Sequence, residues 1–253
     1  MKFGICTAVE NIEKCRAAGV EFIEVNNMKY GTMSDEEFEK ALAFSAEKGH
    51  LAYASNGLIP GDVRLTGPDV DYDAIRAFCE KSFPRLAKLG VKILVFGSSK
   101  AKIVPEGFSF DEAWEQLVNV VRIFSDVAAA NDQIVVIEPL RYDECNIINT
   151  VEDSVKLAKL ADRENVKAHV DFFHLMQNGE TLSQLAPLVQ YLGHVHIASP
   201  VKRTAPTFDD GANYGAFFKT LRDNGFDGPV SYEGKAVNDP EELKNLMSFL
   251  KSL

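Results

Sequence analysis

Short apolar runs and helix-like segments alternate eight times along this chain, with no long linker, low-complexity tract or repeat between them. The strand candidates are Phe3–Cys6, Phe22–Val25, Leu51–Ser55, Ile93–Phe96, Ile134–Glu138, Ala168–Asp171, Val195–Ala198 and Val230–Glu233. Strict β-then-α order implies parallel strands joined by right-handed crossovers. Eight such units in 253 residues match the size at which parallel strands close on themselves, typically ~250 residues. An open doubly wound sheet is the competing arrangement, but no GxGxxG follows the first strand. The predicted fold is therefore α/β, a single (β/α)8 TIM barrel, with residues 1–253 as one domain.

The helical segments carry their own punctuation. Ser34-Asp35-Glu36-Glu37 resembles a capping box and Gly49 a stop, which predicts a helix from Ser34 to Lys48. Further helices are predicted over Tyr72–Leu89, Asp111–Ala130, Val151–Leu160, Thr181–Tyr191, Tyr214–Asn224 and Pro240–Leu250, with Gly90 and Gly225 as C-terminal stops.

Four consecutive runs in the second half end on polar groups. They are IVVIEP (134–139), KAHVDFFH (167–174), GHVHIAS (193–199) and PVSYEG (229–234), and they bring Glu138, Asp171, His196 and Glu233 to their carboxyl ends. Runs this apolar read as buried parallel strands. Barrel closure would set the four groups on one rim, at the mouth where barrel enzymes do their chemistry. Three carboxylates in a partly dry cavity repel one another, and a hard divalent cation is the simplest reason to gather them. One imidazole and three carboxylates suit Mn²⁺, Co²⁺ and Mg²⁺ alike. Side-chain alternation puts His169 on the face of Asp171 and His194 on the face of His196, one layer deeper. His169 and His194 therefore read as core histidines with hydrogen-bond partners. Taken singly, a Glu that ends a strand is more often a solvated rim residue or a helix cap.

Charge and cysteine usage narrow the partners. A net charge of −10 argues against a broad basic face for nucleic acid. Cys6, Cys15, Cys79 and Cys145 show no CxxC or disulfide-framework spacing, as expected of thiols in a reducing compartment. No apolar run approaches the ~20 residues of a membrane span, and MKFGICTAVENIEK enters a strand directly, without a signal-peptide pattern. The expectation is a cytoplasmic protein that binds neither nucleic acid nor membrane.

The segments GHVHIAS, HVDFFH, VIEPLRYDECNIINT and VSYEG resemble the xylose-isomerase-like barrel superfamily of sugar isomerases and epimerases, especially its ketose 3-epimerase branch. VFGSSKAKIVPEGF (95–108) and NGLIPGDVRLTGPDVD (56–71) extend the similarity over nearly the whole chain. The resemblance implies a divalent metal, commonly manganese, cobalt or magnesium, held by Glu138, Asp171, His196 and Glu233. It also implies substrate contacts from His174 and Glu144, and from a basic residue after the His-bearing strand, in register with Lys202 or Arg203. Arg203 is preferred, because a guanidinium offers fork-like hydrogen bonding. Where the family often has an acid shortly after the metal His, this chain reads Ser199-Pro200. Related barrels often pair through outer helices, so a homodimer or homotetramer is expected.

The chemistry follows from the residue types. Removing a proton next to a carbonyl leaves an enediolate, whose negative oxygens a divalent cation stabilises as a Lewis acid. Two carboxylates, Glu138 and Glu233, would take the proton from one side of the sugar and return it on the other, inverting the carbon. One group shuttling the proton between adjacent carbons would give aldose–ketose isomerisation instead. The leading expectation is a metal-dependent epimerase or isomerase of a keto sugar or related small polyol. A keto-inositol dehydratase or a hydroxypyruvate isomerase-like enzyme would use the same enediolate step. An AP endonuclease-like DNA repair enzyme would need several metals, more His ligands than five His allow, and a basic surface. A non-catalytic sugar-binding barrel would be supported by loss of Glu138 or Glu233, and both are present.

Secondary candidates surround these. The loop from Asn56 to Asp71 is long, with Pro60-Gly61 and Gly67-Pro68 turns, and reads either as a lid or as a plain surface excursion. Lys100 and Lys102 read as solvated lysines or as partners of an anionic substrate group. Phe172 or Phe173 would wall the sugar pocket, or both would pack in the core. His50 follows a helix stop and reads as loop structure.

Overall fold

A strand that is apolar on both faces needs a partner at each edge and cover on each side, and a closed barrel sheathed by helices supplies both. The computed structural model describes residues 1–253 and shows that arrangement. The strands are β1 (Lys2–Cys6), β2 (Phe22–Asn26), β3 (Ala52–Asn56), β4 (Ile93–Phe96), β5 (Ile134–Ile137), β6 (Val166–Asp171), β7 (Leu192–Ile197) and β8 (Pro229–Tyr232). They pair in chain order, all parallel, and β1 closes onto β8 with Phe3 opposite Val230.

The predicted helices form where their signals stand. Ser34 and Glu37 make the reciprocal capping box of the helix Asp35–Glu47, satisfying N–H groups that have no intrahelical acceptor. Gly90 ends Tyr72–Leu89 with φ +100°, a conformation costly for any residue with a Cβ. One prediction fails. Thr181–Tyr191 is not one helix but a short α-helix, Leu182–Leu185, followed by a 3-10 segment, Ala186–Tyr191. Pro187 has no N–H to donate back to Ser183, and its ring crowds that carbonyl, so the α-helical ladder stops. Short helices over Asn27–Thr32 and Phe172–Gln177 follow directly on strands, another over Ser99–Lys102 follows β4 after two residues, and none of the three was anticipated.

Core packing divides the barrel into layers. Outward-facing strand residues join the helices in one cluster that includes Phe83, Leu86, Phe124, Phe217 and Leu246. Inside, Phe22, Ala54, Ile93, Val95 and Val136 fill the amino-terminal half, with the Phe22 ring lying where a Cβ on Gly4 would have to be, 2.5 Å away. Above this plug the interior turns polar, with Glu24, His169, His194 and Ser231 fully buried.

The loop after β3 is fastened rather than hinged. Leu58, Ile59 and Leu65 are buried, Leu65 N donates to Ala101 O, and Gly67 exchanges two hydrogen bonds with the Gln116 amide. The loop thus packs against the segment after β4 and against Gln116, with Gly61, Asp62, Pro68 and Asp69 exposed. No helix is long and apolar enough to cross a membrane.

Candidate active site

β5 and β8 stop one residue short of the prediction, at Ile137 and Tyr232, so Glu138 and Glu233 sit just past the ladder at the carboxyl-terminal mouth. Glu138 N still donates to Phe96 O, and Glu233 N to Ile197 O, so both backbones remain anchored while the side chains turn inward. The Glu138 carboxylate occupies space that only a glycine at position 97 leaves open: a Cβ there would lie 2.2 Å from Oε2. Lys102 is fully buried and donates from Nζ to the Glu138 carbonyl at 3.0 Å. Both sequence readings of Lys102 are thereby corrected, since it is neither solvated nor pointed at an anionic ligand. Lys100 is exposed.

Asp171 ends β6 and does two things. Its Oδ1 accepts from Phe173 N at 2.7 Å, capping the helix Phe172–Gln177, while Oδ2 faces the Arg203 guanidinium at 3.3 Å. His196 on β7 is fully buried and points Nδ1 at Glu138 Oε1 and Glu233 Oε2, 3.3 Å from each. Glu233 also accepts from Asn56 Nδ2 at 2.9 Å and from Arg203 Nη2 at 2.5 Å. Glu138, Asp171, His196 and Glu233 each offer a ligand atom, and the four atoms lie within 4.8 Å of one another.

Electrostatics at this cluster are unbalanced. Burial, then the Glu233 charge, pushes the Glu138 carboxyl up. Burial also drives Asp171 up to about 6, against the pull of Arg203. Glu233 goes the other way: burial would raise it, but the charges on His196 and Arg203 prevail and bring it down to about 2. Two of three carboxylates thus resist ionisation because burial strips them of water, a penalty that a divalent cation would offset. The oxygen-rich donor set with one imidazole fits such an ion.

A second group of side chains rims the cluster. His174 is buried, and its Nδ1 accepts from Arg141 N, so the ring proton resides on Nε2, an atom with no hydrogen-bond acceptor. Nε2 lies 3.5 Å from Asp171 Oδ2 and is free to donate to a ligand. Glu144 is held by Arg141 Nε at 2.7 Å and stands 3.9 Å from Arg203 Nη1. Both guanidinium groups lie over the Phe173 ring, about 5 Å from its centroid, while Phe172 packs against Tyr214 and Phe217 in the core. Lys202 is exposed, whereas Arg203 is half-buried and reaches Asp171 and Glu233. Arg203 adopts φ +51°, uncommon for a side chain of its size.

Four positions escaped the sequence reading: Glu24, Asn56, Gly97 and Cys6. Glu24 hydrogen-bonds both His194 and His196. Cys6 lies beside the mouth, its thiol pushed well up by burial and by the Glu24 and Glu233 charges. Asn56 had been read only as a loop start. The signal available for Glu24 was a lone acid inside FIEV, a run otherwise apolar. His194 has the predicted partner, but neither ring nitrogen of His169 has one.

A family model described as the xylose isomerase-like TIM barrel matches residues 12–253. The chain belongs to that family. Among curated members, a 3-dehydro-D-guloside 4-epimerase of Escherichia coli (strain K12) is 30% identical over 139 residues, 53% of this chain and 51% of that protein. The chain thus aligns with about half the length of that relative. A D-psicose 3-epimerase of Ruminiclostridium cellulolyticum is 26% identical over 233 residues, 88% of this chain and 76% of that protein. The crystal structure of D-psicose 3-epimerase with D-tagatose from Clostridium cellulolyticum H10 superposes with a TM-score of 0.86 at 22% identity, covering 100% of this chain and 99% of that one. This xylose isomerase-like barrel is an enzyme of the isomerase class, which includes epimerases.

Proposed function

We propose that the protein is a divalent-metal-dependent epimerase of a keto sugar or related small polyol, working through an enediolate with Glu138 and Glu233 as acid and base. The observation that carries this is the convergence of Glu138, Asp171, His196 and Glu233 from four consecutive strands to within 4.8 Å, with the Glu138 and Asp171 carboxyls pushed up by burial. These four residues would hold the ion. When bound, it supplies Lewis-acid stabilisation of negative charge developing on the oxygens of the reacting carbon and its neighbour.

The remaining work falls to the chain. Glu138 and Glu233 come from β5 and β8, three strands apart around the barrel, so they approach a bound molecule from different sides. One removes the proton next to the carbonyl and the other delivers a proton to the opposite face, which inverts the carbon. His174 offers its unpartnered Nε2–H to a substrate oxygen, and Arg203, braced by Glu144 and stacked on Phe173, donates to another. Asn56 fixes the orientation of the Glu233 carboxylate. The epimerase relatives, acting on a dehydro-guloside and on psicose by name, support this substrate class.

The test is proton exchange in D₂O. The Mn²⁺-loaded protein is incubated with free and phosphorylated ketoses, keto-inositols and hydroxypyruvate, beside an EDTA-treated control, and followed by NMR. Metal-dependent deuterium incorporation next to a carbonyl is the expected result. Absence of incorporation across the panel, with metal shown to be bound, would refute the enediolate reading for these substrates.

A further inference from the structure

Glu24 is a carboxylate with no exposed side-chain surface in the middle of the barrel, and the acid–base scheme does not use it. Burying a charge there is costly unless every oxygen is engaged. Both are: Oε1 lies 2.9 Å from His196 Nε2 and Oε2 lies 2.8 Å from His194 Nε2. His194 Nε2 is also 3.2 Å from Ser231 Oγ. The ring of His196 is walled by His169 at 4.3 Å and His194 at 5.2 Å, both nearly perpendicular to it. Rotation of the ring is therefore restricted, and Nε2 has Glu24 as its hydrogen-bond partner.

We propose that Glu24 is a positioning residue for the metal centre: it holds the Nε2–H of His196, so that the Nδ1 lone pair faces Glu138, Asp171 and Glu233. The inference rests on the metal-dependent reading above and adds the residue that prepares one ligand. A cation displaces the proton from the ring nitrogen it binds, and the neutral imidazole that results carries its one N–H on the other nitrogen, which cannot ligate. An ionised carboxylate accepts and cannot donate, so beside Nε2 it admits only the tautomer that leaves Nδ1 bare. Its negative charge also strengthens the imidazole as a donor, the role that carboxylates behind metal-bound histidines generally fill. β2 contributes nothing else to the four-ligand cluster, which explains an acid in FIEV where the neighbours are apolar.

Glu24→Gln keeps the shape and removes the charge, and its amide can donate to Nε2 and so favour the wrong tautomer. Mn²⁺ affinity is measured by chelator competition for wild type and variant, with thermal melts alongside. The expected result is binding weaker by about 10–100-fold, with proton exchange restored when Mn²⁺ is raised above the new Kd. A merely structural role would lower Tm and leave the Kd in place; equal affinities in a folded variant overturn the proposal. Failure of wild type to bind Mn²⁺ overturns the metal reading as well, so the two failures are distinct. Should Glu24→Gln not fold, ¹⁵N NMR of wild type loaded with diamagnetic Mg²⁺ decides: a proton on His196 Nε2 supports the assignment, and a proton on Nδ1 overturns it.

Discussion

Gly97→Ala should disable the site while sparing the fold. The added methyl would lie 2.2 Å from Glu138 Oε2 and 3.3 Å from its carboxyl carbon, where ordinary contact begins near 3.4 Å. Gly97 does not occupy the positive-φ region, so the backbone accepts alanine, and the collision falls on the carboxylate. Oε2 must retreat by about 1 Å, and misplacement of a catalytic group by that amount costs about 10²-fold in rate. Overpacking of this kind costs about 1–3 kcal/mol, which in a chain of this length lowers Tm by about 2–10 °C. The assay is the rate of metal-dependent deuterium exchange on the substrate identified by the panel, with Mn²⁺ affinity as a second readout, because Glu138 would also be a ligand. Both should fall in a protein whose far-UV circular dichroism is unchanged. Gly215→Ala is the control: it lies in the helix Tyr214–Asp223, its nearest contact would be Asn213 Oδ1 at 3.8 Å, and it should keep full exchange. Wild-type exchange and Mn²⁺ binding in Gly97→Ala would show that the Glu138 carboxylate does not act from its observed position.

Three further outcomes are expected. Glu138→Gln and Glu233→Gln should each slow turnover at saturating metal by at least about 10²-fold, the usual worth of a general acid or base; normal turnover in either removes the two-carboxylate scheme. Mn²⁺ at 100 times its Kd should stabilise the fold by about 2.7 kcal/mol, a rise in Tm of about 5–10 °C for this chain length, reversed by EDTA; an unchanged melt speaks against a specific site. Burial pushes the Glu180 carboxyl up from its ordinary 4.5 to about 7, beside the Val151 N–H it accepts from. A raised folded pKa stabilises below the unfolded value, and that contribution is lost as pH rises through 7. Glu180→Gln should therefore match wild type in Tm near pH 4 and melt higher near pH 8, and a difference that does not change with pH would contradict the sign.

Much of this was readable from the residues, for identifiable reasons. Ile93–Phe96 and Tyr72–Leu89 are observed at the predicted bounds, because a β-branched run and an Asp71-to-Gly90 capped segment carry their boundaries in local chemistry. The cluster of Glu138, Asp171, His196 and Glu233 was visible because each residue terminates a run of known period, and barrel closure leaves strand ends one place to meet. Thr181–Tyr191 was misread because the local hydrophobic pattern outweighed Pro187. Lys102 was misread because a lysine after a strand is ordinarily solvated, and nothing in SSKAK shows that its side chain turns inward to the Glu138 carbonyl.

The sequence by itself determined the alternation, the parallel closed sheet and the four polar strand ends, since these depend on patterns within some ten residues of each position. Only the tertiary structure decided which groups hold those four in place. Glu24 is 172 residues from His196 and Asn56 is 177 from Glu233, yet each pair meets across the barrel, and Gly97, 41 before Glu138, meets it at the ends of neighbouring strands. Hydrogen-bond geometry and excluded volume act over a few ångströms of space, and the curvature and stagger of eight strands set those distances.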